Sequence, residues 1–170
     1  MEKRKSEFAA NNAPKKPAAP SRAPGPWTNA GRAQPEATFQ SVLWAIDGGE
    51  TEALSKMIAF DGEAQAEAER FLAALPAAER ASYGDARSLV ASMMAAEISP
   101  NATSMQVVAQ KPLSNGELQV SVQLATANPS AKPRTANLRF RQADGGWQLL
   151  VPAKVIEGYR YLIAAPATQP

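Results

Sequence analysis

The sequence predicts an α+β fold in which helices come first, an antiparallel sheet follows, and a last helix ends the domain. Apolar residues recur at helical spacing over 35–98, whereas over 105–151 they alternate with polar residues in the period of a strand. Asn115-Gly116 lies between two alternating runs and is a strong hairpin signal. These observations favour N-terminal helices packed on a four-stranded antiparallel meander.

Four helices are expected before the sheet. The first should begin at Pro35-Glu36, because proline and an acidic residue suit the first turn, and Gly48-Gly49 should end it. Asp85 can cap the fourth helix. The expected apolar faces are, in order, Phe39, Val42, Leu43 and Ile46; Ala53, Leu54, Met57 and Ile58; Ala64, Ala68, Phe71, Leu72 and Leu75; and Leu89, Val90, Met93 and Met94.

Four strands and one more helix are expected after them. The second strand has the clearest alternation, which predicts one buried face and one solvated face. The inward residues predicted for the strands are, in order, Met105, Val107 and Ala109; Leu118, Val120, Val122 and Leu124; Ala136, Leu138 and Phe140; and Trp147, Leu149 and Val151. The last helix should begin near Lys154, use Val155, Ile156, Tyr159, Leu162 and Ile163 as its apolar face, and stop at Pro166.

The chain is expected to divide into a basic tail rich in proline and alanine, 1–26, and one α+β domain, 27–166. Residues 1–35 contain seven basic and two acidic side chains and six prolines. Such a composition cannot bury enough apolar surface to offset chain entropy, so we expect the tail to be disordered. The stretch 27–31 is interpreted as a segment that docks on the domain.

The composition excludes several classes of site. The chain has no cysteine and no histidine, which removes disulfides, thiol chemistry and the commonest general base and transition-metal ligand. Acidic residues are scattered, so we expect neither a metal site nor a cofactor. No apolar run approaches the roughly 18 residues of a membrane span. We expect a soluble chain, cytoplasmic as given, or extracytoplasmic if an anchor precedes Met1 in a longer protein.

Three motifs resemble NTF2-like (cystatin-like, SnoaL-type) domains. QPEATFQ (34–40) with WAIDGG (44–49) is similar to the first helix and turn of that family, and DGGWQL (144–149) resembles the hairpin before its last strand. WTNAGRAQPEA (27–37) resembles the start of such a domain in bacteria of the Verrucomicrobia and Planctomycetes. The resemblance implies a cone formed by helices over a curved sheet, with the helical stretch 63–98 in place of the family's early hairpin.

The resemblance also implies a cavity between the first helix and the concave sheet. Five residues are predicted to line it and to hold a small apolar ligand: Trp44, Met57, Phe60, Trp147 and Tyr159. The alternative is that these large side chains simply fill the core.

Catalysis is not expected, and no catalytic residue is assigned. Catalytic relatives place Asp, Tyr or His inside the cone, whereas here no acidic residue falls on an inward strand position. The alternative, an isomerase-like or hydrolase-like enzyme, would use Asp47, Asp61 or Tyr83 as acid or base.

The polar face of the sheet offers a different kind of site. Arg134, Arg139 and Arg141, with Lys132, are predicted on this face or its edge, where they could bind an acidic partner or a second copy of the chain. No aromatic residue is interleaved with them, and nucleic acid is therefore not favoured, although the basic tail leaves that alternative open. The sequence thus predicts a non-catalytic accessory domain acting through protein association or a small apolar ligand.

Overall fold

Six helices and five strands make up the part of the chain that the computed structural model describes, residues 26–98, 101–143 and 145–164. The helices are α1 (Pro35–Gly48), α2 (Thr51–Met57), α3 (Gly62–Ala74), α4 (Ala77–Tyr83), α5 (Ala86–Glu97) and α6 (Ala153–Ala164). The strands are β1 (Ile58–Ala59), β2 (Ala102–Pro112), β3 (Glu117–Thr126), β4 (Arg134–Ala143) and β5 (Gly146–Leu150). The predicted tail up to residue 25 and the predicted stop at Pro166 lie outside the described residues.

Helix α1 follows the sequence prediction closely. Pro35 occupies its first turn with Glu36, and Gly49 ends it in the left-handed conformation at φ 70°. That conformation is accessible to glycine at little cost, and it directs the Glu50 N–H back to the Ala45 carbonyl at 2.7 Å. The predicted apolar face is buried against the rest of the domain.

The sheet confirms the predicted meander and adds one strand to it. Its order is β1-β5-β4-β3-β2, and β2 to β5 pair antiparallel. Asn115 and Gly116 lie in the predicted turn between β2 and β3 and both have positive φ, 70° and 72°, and the Leu113 N–H donates to the Glu117 carbonyl across the turn at 2.8 Å. Helices on an antiparallel meander are the architecture that an NTF2-like domain is expected to have.

Two local predictions are wrong. Ile58 does not continue the second helix, because Ile58 and Ala59 extend and pair in parallel with Leu149 and Leu150 at the sheet edge. Pairing with the edge of β5 provides hydrogen-bond partners for the backbone N–H and C=O groups of these residues, which a further helical turn would otherwise provide. Helix α4 is not among the four helices expected before the sheet, because none of its residues is buried and it therefore shows no apolar face.

The core lies between the sheet and the helices. On β3 and β4, the even-numbered residues face inward, and Val120, Val122 and Phe140 are completely buried. Most odd-numbered residues of these strands are polar and face the other way. This alternation gives the sheet one inner face, covered by helices, and one outer face.

The segment 26–34 docks on the sheet ahead of α1. Trp27 is buried, and the Arg32 carbonyl accepts a hydrogen bond from the Trp147 N–H at 2.9 Å. The Arg32 guanidinium donates to the Lys56 carbonyl at 3.0 Å. This close approach is possible because Gly146, next to Trp147, has no side chain.

Helix α6 packs on α3 through fewer apolar residues than predicted. Ile156 and Tyr159 are buried, whereas Val155, Leu162 and Ile163 are exposed. The buried Glu67 of α3 lies 3.2 Å from the Arg160 Nε. Helix α3 is the neighbour that α6 contacts most extensively. Leu162 and Ile163 lie in the second half of α6 and are exposed, so this half presents part of its apolar face to solvent.

Gly146→Ala should destabilise the domain by about 1–3 kcal/mol, since the added Cβ would lie 2.8 Å from the Arg32 Cβ and 3.0 Å from its carbonyl oxygen. Urea unfolding monitored by tryptophan fluorescence measures the change. Gly158→Ala in α6 is the matched control, because its Cβ would meet nothing within 4 Å and should add about 0.5–1 kcal/mol. Equal effects of the two substitutions would contradict the close docking of 26–34.

Tyr159 should make stability depend on alkaline pH. Burial, with a smaller contribution from Glu97, raises the pKa of Tyr159 from 10.0 to about 12. As the pH rises, the unfolded chain therefore loses the Tyr159 proton before the folded chain does. The contribution of Tyr159 to the free energy of unfolding is complete below pH 10 and is lost as the pH rises towards 12. Unfolding free energies across this range should fall more steeply in the wild type than in Tyr159→Phe. Parallel curves would contradict the assignment.

Candidate functional site

A cavity of about 350 Å³ lies between α1 and the inner face of the sheet. The end of α5 contributes Met94 and Ile98 to its wall, and the start of α6 contributes Val155. The apolar wall includes Phe39, Val42, Leu43, Ile46, Leu138 and Leu149. The cavity is therefore a pocket built mainly from aliphatic side chains, at the position that the NTF2-like resemblance implied.

The periodicities of the sequence explain how this wall forms. The helical spacing of α1 places its four apolar residues on one side, and that side faces the sheet. On β3 and β4, alternate residues point inward, which brings Leu124, Ala136 and Leu138 to the cavity. Ala136 has a small side chain, so it leaves space that a larger residue would occupy.

Polar groups line the cavity near one end of the sheet. Asn101 and Ala102 are at the start of β2, Thr126 ends β3, and Arg134 begins β4. The strand register places Ala102 beside Thr126, and Leu124 beside Arg134. The cavity is therefore apolar along α1 and carries polar side chains where these three strands start or end.

Thr126 has an unusual hydroxyl. Its Oγ1 is buried and has no hydrogen-bond partner among the described residues. In α1, by contrast, the buried hydroxyls of Thr38 and Ser41 lie 3.1 Å and 2.9 Å from the carbonyl oxygens of Gln34 and Ala37. A buried hydroxyl without a partner is costly, and a bound ligand could supply the missing hydrogen bond.

The five residues predicted to line the cavity lie elsewhere, and this prediction is corrected. Met57, Phe60 and Tyr159 are buried in the hydrophobic core, and Trp44 and Trp147 are half-buried against it. None of the five is on the wall of the cavity. Trp44 is turned away because it lies about 140° around α1 from Phe39 at roughly 100° per residue.

The sequence also predicts Arg134, with Arg139 and Arg141, on the polar face or its edge. Its number is even, however, like those of Ala136 and Leu138, and it lines the cavity. The alternation of β4 was the signal that could have separated Arg134 from the other two arginines. Thr126 follows Leu124 by two residues on β3, so the same alternation would have placed Thr126 on the inner face.

The other two arginines bond within the chain. Arg139 donates to the Glu117 Oε2 from Nη2 at 2.6 Å, and its Nη1 lies 3.4 Å from the Asp61 Oδ2. The hydrogen bond with Glu117 raises the pKa of Arg139 above its ordinary value. Arg141 donates to the Phe60 carbonyl at 3.3 Å. The outer face therefore has fewer available cations than the sequence suggested.

The groups considered for acid–base chemistry are not at the cavity. Asp61 accepts the Ala64 N–H at 2.9 Å and so caps α3. Asp47 lies in the last turn of α1, and Tyr83 ends α4; both are half-buried. Across the described parts of the chain, no group of three or more acidic residues could hold a metal ion. No helix within them is long and apolar enough to cross a membrane.

Comparisons with known proteins place these features in context. A crystal structure from Campylobacter jejuni, described as an NTF2-like transpeptidase, is similar to the chain at 16% identity and a TM-score of 0.37. The similarity covers 67% of this chain and 92% of that one. Among curated proteins, none matches the sequence.

The sequence also matches a described protein family over a long, continuous stretch. The family is that of the low molecular weight antigen MTB12, C-terminal domain, and the matched residues are 61–152. They run from the cap of α3 to the end of β5 and include the polar end of the cavity on β2, β3 and β4. Since this stretch is more than half of the 170 residues, the chain belongs to the MTB12 C-terminal domain family.

Proposed function

We propose that the chain is a non-catalytic binding domain that holds a small apolar ligand in the cavity between α1 and the sheet. The observation that carries this proposal is a space of about 350 Å³ with a predominantly aliphatic wall. Ligand pockets generally have volumes of about 300–1,000 Å³ and combine apolar walls with a few polar groups.

The chemistry of the lining supports binding without catalysis. Its polar side chains are those of Asn101, Thr126, Arg134 and Thr135. None of these is a carboxylate, and the whole chain lacks histidine and cysteine. A general acid or base would have to reach the cavity from elsewhere, which the positions of Asp61 and Tyr83 do not favour.

The volume limits the size of the ligand. At about 30 Å³ for each water-sized group, the cavity accommodates roughly ten non-hydrogen atoms. A straight-chain alcohol such as 1-octanol has this size and an apolar body, and it is therefore a suitable probe.

Ala136→Leu should abolish binding of 1-octanol, because the larger side chain would occupy the cavity from the β4 wall. In the wild type, 1-octanol at ten times its Kd should add about 1.4 kcal/mol of stability and raise Tm by a few degrees. Thermal unfolding with and without the alcohol measures the response.

Ala109→Leu is the matched control for this substitution. Ala109 is exposed on β2 and lies opposite Ser121, away from the cavity, so its variant should respond to 1-octanol like the wild type. Binding that survives in Ala136→Leu, or no response in the wild type, would overturn the proposal.

The enzyme alternative can be tested at Asp61, which the structure uses as a helix cap. Asp61→Asn keeps a capping oxygen and should change stability little, whereas Asp61→Ala should cost about 1 kcal/mol. The 1-octanol response should persist in both variants, because Asp61 is not on the cavity wall. Loss of that response in Asp61→Asn would instead implicate this carboxylate in the site.

Protein association through the outer sheet face is the second candidate function. It receives less support, because Arg139 and Arg141 already bond to Glu117 and the Phe60 carbonyl. Light scattering over a range of protein concentrations would detect self-association. Binding of a ligand in the cavity does not require self-association, so the two candidate functions can be tested separately.

A further inference from the structure

We propose that the ligand of this cavity is a single-chain carboxylate whose tail lies along α1 and whose carboxylate binds Arg134. This inference rests on the proposed function and adds the chemical class of the ligand. It follows from the way in which the lining separates apolar and polar groups and from the environment of the Arg134 side chain.

The register of the sheet creates the separation. Arg134 lies opposite Leu124, and Thr126 is the next inward residue of β3. Further along β4, the inward positions are Ala136 and Leu138, and α1 covers them with apolar residues. A ligand that matches this lining is apolar along most of its length and polar at one end.

The charge of Arg134 determines the sign of the polar end. Arg134 is exposed and forms no ion pair or hydrogen bond within residues 26–98, 101–143 and 145–164, unlike Arg139. No Asp or Glu lines the cavity, so nothing on its wall repels an anion or neutralises Arg134. The guanidinium fork matches the geometry of a carboxylate, and nearby apolar walls strengthen the attraction compared with open water.

Thr126 provides an independent observation at the same end. Its buried Oγ1 lacks a partner among the described residues, although buried hydroxyls are normally hydrogen-bonded. A carboxylate held by Arg134 has a second oxygen, which could accept the Thr126 O–H once rotation about χ1 turns that hydroxyl, which is shielded from solvent, towards the cavity. One ligand group would then satisfy both side chains.

The experiment compares three ligands with the same tail: octanoate, 1-octanol and octylamine. Calorimetric titration of the full chain at neutral pH should give a Kd for octanoate about three- to tenfold lower than that for 1-octanol, as expected for one partly exposed charge-assisted contact. Octylamine should bind more weakly than 1-octanol. Added salt should reduce the preference for octanoate, because it screens the exposed charge.

Variants of Arg134 separate this inference from the proposed function. Arg134→Gln should bind octanoate and 1-octanol equally, with the affinity for 1-octanol unchanged, and Arg134→Glu should prefer octylamine. Arg80→Gln removes an exposed arginine of α4 outside the cavity wall and should keep the wild-type preference. Arg134 is exposed, so these variants should fold, and circular dichroism checks that they do.

Each outcome has a distinct meaning. If 1-octanol binds but octanoate has no advantage, or if the advantage survives in Arg134→Gln, the carboxylate assignment is overturned and the proposed function stands. If monooctyl phosphate binds more tightly than octanoate and depends on Arg134, the anionic end is a phosphate and the assignment is again overturned. If no ligand binds the wild type, the proposed function itself fails.

Discussion

Burial of the inner sheet face beneath α1 is the constraint on which the rest of the structure depends. Alternate residues of β3 and β4 are apolar, and a face of this kind must be removed from water. Helix α1 covers it with an apolar face of its own, and Gly49 ends the helix so that α2 can follow. Val120, Val122 and Phe140 on this face are completely buried, whereas a cavity lies towards Arg134.

The same alternation gives the arginines of β4 different roles. Arg139 and Arg141 lie on the outer face, where Glu117, Asp61 and the Phe60 carbonyl hold them. Arg134 has the opposite parity, and it therefore lies beside the apolar cavity with an unpaired charge among the described residues. One strand thus contributes both to the polar surface and to the proposed site, because its side chains alternate between two faces.

Periodic segments could be predicted from the sequence, whereas the cavity residues could not. The apolar face of α1, the Asn115-Gly116 turn and the caps Asp61 and Asp85 depend on neighbours within a few residues. Strand β1 depends on an edge of β5 that lies far along the chain. The five predicted pocket residues were chosen for size, but large side chains fill space, and an empty space lies where smaller ones such as Ala136 face it.

The sequence by itself determined the α+β class, the order of the predicted helices and of the four meander strands, and the inward apolar residues of α1 and of the middle of β3 and β4. These properties follow from local periodicity and turn chemistry, which the chain carries in any conformation. Only the tertiary structure decided where α1 leaves the sheet uncovered and which arginine of β4 has no hydrogen-bond partner among the described residues. Both depend on distances between segments far apart in the chain, because packing and ion pairing are set once the elements meet.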